Sequence, residues 1–358
     1  MKLASTTLTG NNANIIGEAL QSVVDWVDLC LVIDTGVSDE TLRIAADVAG
    51  AKCVVRRFDW IQDFSAARNF ALGAAQELGA NWSITLDTDE RIQLNGEDLR
   101  AVLATVNADV LMMYDEARTY TKERCFRLPA RACFEGPTHE SFPGYRVGIH
   151  TASLATFREL PKSPAALRHK FERDAELLAR HTRAHPTDAR WFYYLGESLA
   201  NLDQPNEALQ AYDACAELRG WNEESAWACF RAAECLCKLE RYTEAVEHCA
   251  RGLARHAGIA ELAWLGAFAC YRRGDPAQAV YWAQLALVFG LHEGKGSSVP
   301  RISFRNPSAL HEGPYDILRF AYRDLGDPAA AAAAEKSYQQ ARAARLSGVV
   351  RPGSRRAG

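Results

Sequence analysis

Three carboxylates stand together at the end of one apolar run in this chain of 358 residues. Residues 82–86 read Trp-Ser-Ile-Thr-Leu, and Asp87, Thr88, Asp89 and Glu90 follow them directly. Crowded like charges are costly unless a cation neutralises them, and carboxylate oxygens suit Mg²⁺ or Mn²⁺. The sequence therefore predicts a divalent-cation site on Asp87 and Asp89. Because Mg²⁺ commonly completes its shell with substrate phosphates, this site also predicts a phosphorylated ligand. A solvated loop end is the alternative interpretation.

Two further segments place polar residues where an apolar run meets a helical pattern. Asp34 closes a run and is followed by Gly36, and Asp39 stands at the start of the next helical pattern. Such a strand-to-helix turn is typical of a nucleotide-binding edge. Arg68 lies near the start of a later helical pattern and offers a guanidinium to a phosphate or a carboxylate. Taken singly, these residues are better explained as helix caps and a surface arginine.

The elements that must position these residues alternate up to about residue 149. Apolar, β-rich runs occupy residues 29–33, 53–55, 82–86 and 110–114, and helical patterns occupy residues 15–27, 39–49 and 64–78. Alternation of strand and helix predicts a mostly parallel sheet that is covered on both faces. Ligands of such a sheet bind at the carboxyl ends of its strands. We therefore expect an α/β domain over residues 1–160.

The second half of the chain reads as helices that repeat at the tetratricopeptide period of about 34 residues. Four similar turns occupy residues 202–208, 240–245, 273–279 and 325–331, and each contains an alanine where two helices should cross: Ala208, Ala245, Ala279 and Ala331. This pattern predicts an all-α, tetratricopeptide-like domain over residues 161–345. The Gly-, Ser- and Pro-rich stretch 291–310 is expected to loop out of the stack. The repeats would either support the first domain or hold a protein partner.

Composition and charge exclude several classes of protein. The 41 Lys and Arg against 45 Asp and Glu give a net charge of −4, which argues against a nucleic-acid partner. We find no signal-like run and no eighteen consecutive apolar residues, so we expect a cytoplasmic protein without a transmembrane segment. Most of the ten cysteines should then be thiols that pack as small hydrophobic residues. The basic residues 346–358 read as a frayed tail, or as a contact that holds the protein at the inner membrane surface.

Together, these segments resemble the family 2 glycosyltransferases of the GT-A fold over roughly residues 2–157. Asp34 and Asp39 resemble the acidic cluster that contacts the nucleoside in that family, and residues 63–69 resemble its Asp-Phe-Ser and Arg-Asn segment. Asp87-Thr88-Asp89 resembles its DxD motif, in which a metal chelates the diphosphate of a nucleotide sugar.

Two later segments resemble one subgroup of this family, which includes the lipopolysaccharide core glucosyltransferases. Residues 126–129 resemble its arginine-rich strand, and residues 134–140 resemble its Gly-x-x-His-Glu segment, which lies beside the acceptor. Asn12 stands where this subgroup often has Glu. Many members also carry tetratricopeptide-like repeats, which agrees with the order of domains predicted for this chain.

The resemblance implies a metal-dependent, inverting glycosyltransferase. It would move a sugar from a nucleotide-diphosphate sugar, with a UDP-sugar favoured, to a glycan, lipid-linked or peptide acceptor. The resemblance implies that Asp89, helped by Asp87, holds Mn²⁺ or Mg²⁺ with His150 as a third ligand. Arg68 would contact phosphate or the His-Glu loop. Glu140 would be the general base, and His139 would orient Glu140 or touch the acceptor. Glu90 and Asp115 remain alternative bases.

One competing hypothesis belongs to another class of protein. The GT-A domain would be catalytically idle, and the repeats would make the chain a scaffold for protein partners. The crowded carboxylates argue against this hypothesis, since an idle domain has no physical need for them. A nucleotidyltransferase is a further alternative, but the chain lacks the expected Gly-rich, basic phosphate loop near its amino terminus.

Overall fold

The computed structural model describes residues 1–118, 120–145, 147–150, 154–292 and 304–347. It divides into two compact units, of which the first is Met1–Leu167 and the second begins at Arg168. The first unit combines a sheet with helices, and the second is helical throughout its described residues. No helix in the described part of the chain is long and apolar enough to span a membrane.

The first unit is built on one mixed β-sheet. Its strands are β1 (Leu3–Thr9), β2 (Leu29–Asp34), β3 (Cys53–Arg57), β4 (Trp82–Thr85), β5 (Glu90–Leu94), β6 (Val110–Asp115), β7 (Thr121–Arg127), β8 (Val147–His150) and β9 (Ala155–Glu159). Its helices are α1 (Ile16–Gln21), α2 (Thr41–Ala49), α3 (Phe64–Glu77) and α4 (Leu99–Thr105), with a 3₁₀ turn at Gly50–Lys52. The strands lie in the order β3-β2-β1-β4-β7-β6-β9-β5, and β8 pairs with β6.

Strand direction brings several polar segments to one edge of the sheet. Strands β1 to β4 run parallel to one another, with Thr9 opposite Asp34 and Asp34 opposite Arg57. Strand β7 runs antiparallel to β4, so its first residues lie beside the last residues of β4. The carboxyl ends of β1 to β4 and the start of β7 therefore share one edge, where ligands of parallel sheets bind.

Both faces of the sheet are covered by apolar packing, as the sequence predicts. Cys30 and Val32 of β2 pack in the cluster that includes residues of α1, α2 and α4, and the alternate residues Leu31 and Ile33 pack with residues of α3. This alternation follows from the two-residue period of a strand. The expected helix over residues 15–27 is shorter than predicted, because α1 ends at Gln21 and turns continue to Val27.

Strand β1 lies at the centre of the parallel part of the sheet, yet it is not among the predicted apolar runs. Its sequence is Leu-Ala-Ser-Thr-Thr-Leu-Thr, and the side chains of Ser5 and Thr7 are fully buried. Both neighbouring strands pair with its backbone, so its position comes from its ladder partners. A polar composition in a buried strand gives no periodic signal.

The second unit is an array of antiparallel helix hairpins. Its helices are α5 (Pro164–Ala184, which starts in the first unit), α6 (Ala189–Asn201), α7 (Pro205–Leu218), α8 (Asn222–Lys238), α9 (Tyr242–Arg255), α10 (Ala260–Arg272), α11 (Pro276–His292), α12 (Pro307–Leu310), α13 (Gly313–Asp324) and α14 (Pro328–Leu346). The four predicted turns connect α6 to α7, α8 to α9, α10 to α11 and α13 to α14. The prediction of an α/β domain followed by a helical repeat domain is confirmed.

The four hairpin turns have the same backbone geometry. One residue in each turn is in the left-handed region, with φ of 64° at Asp203, 59° at Glu240, 86° at Gly274 and 79° at Gly326. The next amide in each turn donates to the carbonyl five residues before it, as Gln204 does to Leu199 at 3.0 Å and Asp275 does to Cys270 at 3.0 Å. This bond closes the end of the first helix of each hairpin.

Small residues lie where the helices of a hairpin cross. Ala208, Ala245 and Ala279 are fully buried. Ala331 is only half-buried, and it lies in α14, the last helix of the described chain. A Cβ added to Gly196 would lie 2.6 Å from carbon atoms of the Tyr212 ring, so helices α6 and α7 approach too closely for a larger residue.

The stretch 291–310 differs from its prediction where the structure describes it. Phe304 stacks on Trp227 with ring centroids 5.5 Å apart, and the Asn306 amide donates to Glu261 at 2.9 Å. The end of this stretch therefore packs on the repeat helices and does not loop out of the stack, because an aromatic side chain gains more from burial than from exposure. Residues 293–303 lie outside the described residues, as does the predicted tail from residue 348 onward.

The close approach of α6 and α7 predicts the effect of Gly196→Ala. Overpacking costs roughly 1–3 kcal/mol, which exceeds the gain of about 1 kcal/mol from replacing a helical glycine. We expect the variant to unfold at lower temperature than the wild type in a thermal melt followed by circular dichroism. Gly73→Ala in α3 is the control, because a Cβ there meets no atom within 4 Å and should be neutral or stabilising. Equal melting temperatures for Gly196→Ala and the wild type would contradict the packing argument.

Candidate active site

Asp87 lies just beyond the end of β4 and holds two arginines. Its Oδ1 accepts a hydrogen bond from Arg68 Nη2 at 3.0 Å, and its Oδ2 accepts one from Arg124 Nη2 at 3.1 Å. Burial alone would raise the pKa of Asp87, but the charges of Arg68 and Arg124 outweigh it and hold this pKa well below its usual range. Asp87 is therefore a carboxylate with both oxygens bound to guanidinium groups.

Arg68 connects Asp87 with Glu140. Its Nε donates to Glu140 Oε1 at 2.8 Å, while its Nη2 donates to Asp87. Arg68 comes from the second turn of α3, and its guanidinium lies 5.8 Å from the centroid of the Phe134 ring. The three predicted site residues Arg68, Asp87 and Glu140 are thus in direct contact, although they are far apart in the sequence.

Helix α3 also positions the loop that carries Glu140. The side chain of Asn69 accepts from the Phe134 amide at 2.8 Å and donates to the Phe134 carbonyl at 2.9 Å. The Phe64 amide donates to the Pro137 carbonyl at 2.9 Å. Asp63, which precedes α3, caps the helix by accepting from the Ala66 amide at 3.0 Å. The segment 63–69 therefore fixes both the arginine and the loop that the arginine contacts.

Strand β7 supplies two cations that the sequence analysis missed. Lys122 and Arg124 are two residues apart, so they lie on one face of the strand. Arg124 pairs with both Asp87 and Glu90, and Lys122 contacts Glu90 at 3.1 Å. A search for basic residues at this spacing on a strand that pairs with the acidic one would have found them.

Arg127 and Glu90 have structural contacts of their own. Arg127, in the segment that resembles an arginine-rich strand, lies 4.4 Å from the centroid of the Trp82 ring and donates to the Ala108 carbonyl at 2.8 Å. It holds β7 in place. The side chain of Glu90 is fully buried, so it presents no accessible oxygen to a substrate.

Asp89 is neutralised by a lysine from the segment that follows β9. The Lys162 ammonium contacts the Asp89 carboxylate, and the Leu160 amide donates to the Asp89 carbonyl at 2.7 Å. Burial would lower the pKa of Lys162, but the bond to Asp89 outweighs it and raises this pKa. The cations that offset the crowded carboxylates are therefore side chains of the protein, so the crowding by itself does not require a metal ion.

The predicted metal ligands fit a divalent cation only in part. Within the described residues, no group of three or more His, Cys, Asp or Glu is arranged to hold a metal ion. Both oxygens of Asp87 are engaged by arginines, whereas Asp89 holds one ammonium at the surface of the site. The side chain of His150 lies outside the described residues, and its backbone pairs with Met112. Asp89 is the carboxylate that can accept a cation.

Asp34 and Asp39 accept backbone hydrogen bonds in the turns that follow β1 and β2. Asp34 Oδ1 accepts from the amides of Gly36 at 2.8 Å and Val37 at 2.7 Å, and Arg57 pairs with Oδ2 at 3.1 Å. Burial opposes ionisation of Asp34, but these donors outweigh it and lower its pKa. Asp39 accepts from the Thr41 hydroxyl and amide, which lower its pKa. Both residues share the carboxyl edge with Asp87, but strand β1 separates them from β4.

His139 directly precedes Glu140 in the loop held by α3. It is half-buried, and its φ of 51° lies in the left-handed region. A non-glycine residue in this region is uncommon, and such conformations persist where the surrounding structure imposes them. Here the neighbouring contacts of Asn69, Phe64 and Arg68 hold the loop from three points.

Comparison with known proteins finds a family similarity over most of the first unit. Residues 7–131 match the family model described as Glycosyl transferase family 2. This part of the first unit is therefore similar to family 2 glycosyltransferases. The matched residues include Arg68, Asp87 and Asp89, whereas Glu140 and Lys162 lie beyond them.

Curated relatives match this chain at modest identity. A TPR repeat-containing protein of Synechococcus elongatus is 36% identical over 137 residues, which are 36% of this chain and 32% of that protein. The SPbeta prophage-derived glycosyltransferase SunS of Bacillus subtilis is 25% identical over 213 residues, 56% of this chain and 49% of SunS. An uncharacterized glycosyltransferase of Rickettsia felis is 30% identical over 115 residues, 32% of this chain and 38% of that protein. The chain thus spans a third to a half of the length of these relatives.

Among solved structures, a crystal structure of MamA aligns with 52% of this chain and 99% of its own, at 14% identity and a TM-score of 0.41. A similarity this low carries no argument about fold or function. The helix hairpins described above define the architecture of the second unit.

The lowered pKa of Asp87 predicts how stability depends on pH. In the unfolded chain the Asp87 carboxyl has a pKa of about 3.9, so it binds a proton below this pH, whereas in the folded protein it stays ionised. The Asp87 contribution is present above about pH 4 and is lost as the pH falls toward the lower folded value. In Asp87→Asn we expect a loss of roughly 3–5 kcal/mol at pH 7, and a shallower decline in stability below about pH 4.

Urea unfolding at a series of pH values measures both effects. Asp59→Asn is the matched control, because the side chain of Asp59 is 92% exposed and lies outside the cluster. Parallel pH profiles for Asp87→Asn and the wild type would show that the two arginines do not stabilise Asp87.

Proposed function

We propose that this chain is an inverting glycosyltransferase that moves a sugar from a nucleotide-diphosphate sugar, with a UDP-sugar favoured, to a glycan, lipid-linked or peptide acceptor. The observation that carries this proposal is the bond of one guanidinium, that of Arg68, to both Asp87 and Glu140. It joins the residue expected on the donor side to the residue expected on the acceptor side. The family 2 match over residues 7–131 supports the same class of reaction.

Glu140 is the group best placed to act as general base. Its Oε1 accepts from Arg68, while its Oε2 accepts no hydrogen bond from a described residue. The Glu140 side chain is 13% exposed, whereas that of the alternative base Glu90 is 1% exposed. Oε2 of Glu140 is therefore open to a proton from an acceptor hydroxyl, and a positioned base of this kind contributes about 10²–10⁴ in rate. In this proposal His139 limits the orientation of Glu140 through their shared backbone.

The donor would bind at the carboxyl edge of β1 to β4. Asp34 and Asp39 order the turns that would contact the nucleoside, and Arg68 would approach the diphosphate. Asp89 would hold Mn²⁺ or Mg²⁺, with donor phosphates and water as its other ligands, since Mg²⁺ sites often use one or two carboxylates. A cation bound there would neutralise charge on the leaving diphosphate. His150 remains a proposed third ligand.

The repeats and the location of the protein complete the proposal. We assign the concave surface of the hairpin array to a protein partner or a peptide acceptor. We place the protein in the cytoplasm, with attachment to the inner membrane surface as a variant of this location. All ten cysteines are free thiols, as expected in a reducing compartment.

The role of Glu140 predicts the behaviour of Glu140→Gln. The amide keeps an oxygen for Arg68 but cannot take a proton, so we expect transfer to fall by roughly 10²–10⁴ with donor binding unchanged. Release of UDP from a panel of UDP-sugars measures turnover, and calorimetry measures binding. Glu135→Gln, an exposed position in the same loop, is the control and should keep full activity. Unchanged turnover in Glu140→Gln would remove Glu140 from the role of base.

Binding of a nucleotide diphosphate separates the enzyme from a catalytically idle scaffold. A ligand at 100 times its Kd stabilises the folded state by about 2.7 kcal/mol. We therefore expect UDP with Mn²⁺ to raise the melting temperature of the full chain, and Asp89→Asn to lose the part of the increase that depends on Mn²⁺. The absence of any increase with UDP, GDP or dTDP, with or without Mn²⁺, would favour the scaffold.

A further inference from the structure

The cations that pair with Asp87, Asp89 and Glu90 differ in exposure and in their number of partners. Arg68 and Arg124 each bind two carboxylates, and their side chains are 15% and 6% exposed. Lys122 binds Glu90 and Glu159. Lys162 pairs with Asp89 alone among the described residues, and the two side chains are 34% and 26% exposed. Lys162 is thus the most weakly anchored cation of the cluster.

The position of Lys162 also differs from that of the other three. It lies between the end of β9 at Glu159 and the start of α5 at Pro164, whereas the others come from α3 and β7. The bond from the Leu160 amide to the Asp89 carbonyl, at 2.7 Å, holds the backbone of this segment against the Asp89 turn. The lysine can therefore change partner while its backbone stays beside the site. A flexible stem of four carbons and a compact ammonium suit such an exchange.

We propose that Lys162 is an exchangeable counter-ion, which neutralises Asp89 in the free protein and pairs with the donor diphosphate when donor and cation bind. This inference rests on the proposed function, and it assigns a donor-binding role to a residue outside the matched family segment. A divalent cation at Asp89 must displace the ammonium from the same carboxylate. Phosphate oxygens on that cation would then lie close to the displaced ammonium, and charge-assisted pairing with phosphate is favourable.

The exchange predicts two effects of opposite sign in Lys162→Met. Loss of the ammonium removes the competitor for Asp89, so Mn²⁺ should bind the nucleotide-free protein more tightly. The same loss removes a phosphate partner, so UDP should bind more weakly at saturating Mn²⁺, where the metal site is already filled. Each change should be about threefold or more, the scale of one partly exposed ion pair. General damage to the fold would weaken both ligands, and a solvated lysine without a role would change neither.

The experiment uses the full chain and two ligands measured separately. Electron paramagnetic resonance of free Mn²⁺ gives the metal affinity without nucleotide, and calorimetry at saturating Mn²⁺ gives the UDP affinity. Lys162→Arg keeps the charge and should retain UDP binding. Lys170→Met is the matched control, because Lys170 is also a half-exposed lysine but pairs with Asp174 within α5. It should leave both affinities unchanged.

The outcomes separate this inference from the proposed function. Tighter Mn²⁺ and weaker UDP binding in Lys162→Met would support the exchange. Affinities that both weaken, or that both stay at the wild-type value, would overturn it while UDP binding by the wild type upholds the proposed function. Failure of the wild type to bind any nucleotide diphosphate would overturn both.

Discussion

The contact on which the first unit depends is the pairing of the Asp87 carboxylate with two guanidinium groups. Arg68 arrives from a helix on one face of the sheet, and Arg124 arrives from the antiparallel strand beside β4. Neither arginine would be stable at such low exposure without a carboxylate, because an unpaired buried charge costs several kcal/mol. Asp87 therefore ties α3, β4 and β7 together at the edge where ligands of parallel sheets bind. The Glu140 loop is attached to this framework through Arg68.

The ion pairs around Asp87 differ in burial. The pair of Arg124 with Glu90 is almost fully buried, and the pair of Lys162 with Asp89 lies at the surface of the site. Buried pairs set geometry, since breaking them leaves an uncompensated charge, whereas exposed pairs contribute little and are easily replaced. The buried pairs hold Arg68, Asp87 and Glu140 together, whereas the pair of Lys162 with Asp89 lies where solvent reaches it.

The second unit depends on packing and not on charge. Its hairpins share one turn geometry, and small residues stand at their crossings, so the same helix pair can be repeated along the chain. Within the stretch 291–310, Phe304 stacks on Trp227 and so packs this part of the chain on the array. Such arrays present extended surfaces to partners.

The sequence by itself determined the order of the two units, the hairpin turns, and the presence of Asp87, Arg68 and Glu140 as candidates. Local periodicity and motif spacing are enough for the two units, the turns, Asp87 and Arg68, because they depend on neighbouring residues along the chain. Glu140 became a candidate through the resemblance of residues 134–140 to a family segment. Strand β1 was missed, since its burial comes from pairing with strands distant in sequence and not from an apolar run.

Only the tertiary structure decided which cations neutralise the carboxylates that follow β4, Asp87, Asp89 and Glu90. Asp87 and Arg124 are separated by 36 intervening residues, and Asp89 and Lys162 by 72, so no local pattern reports their contact. The sequence showed the carboxylates and predicted a metal ion, and the structure adds the protein cations that offset their charge. Strand pairing brings the cations of β7 to the end of β4, and the backbone bond of Leu160 brings Lys162 to Asp89. Long-range contacts of this kind exist only once the sheet has formed, which is why they could not be read from the sequence.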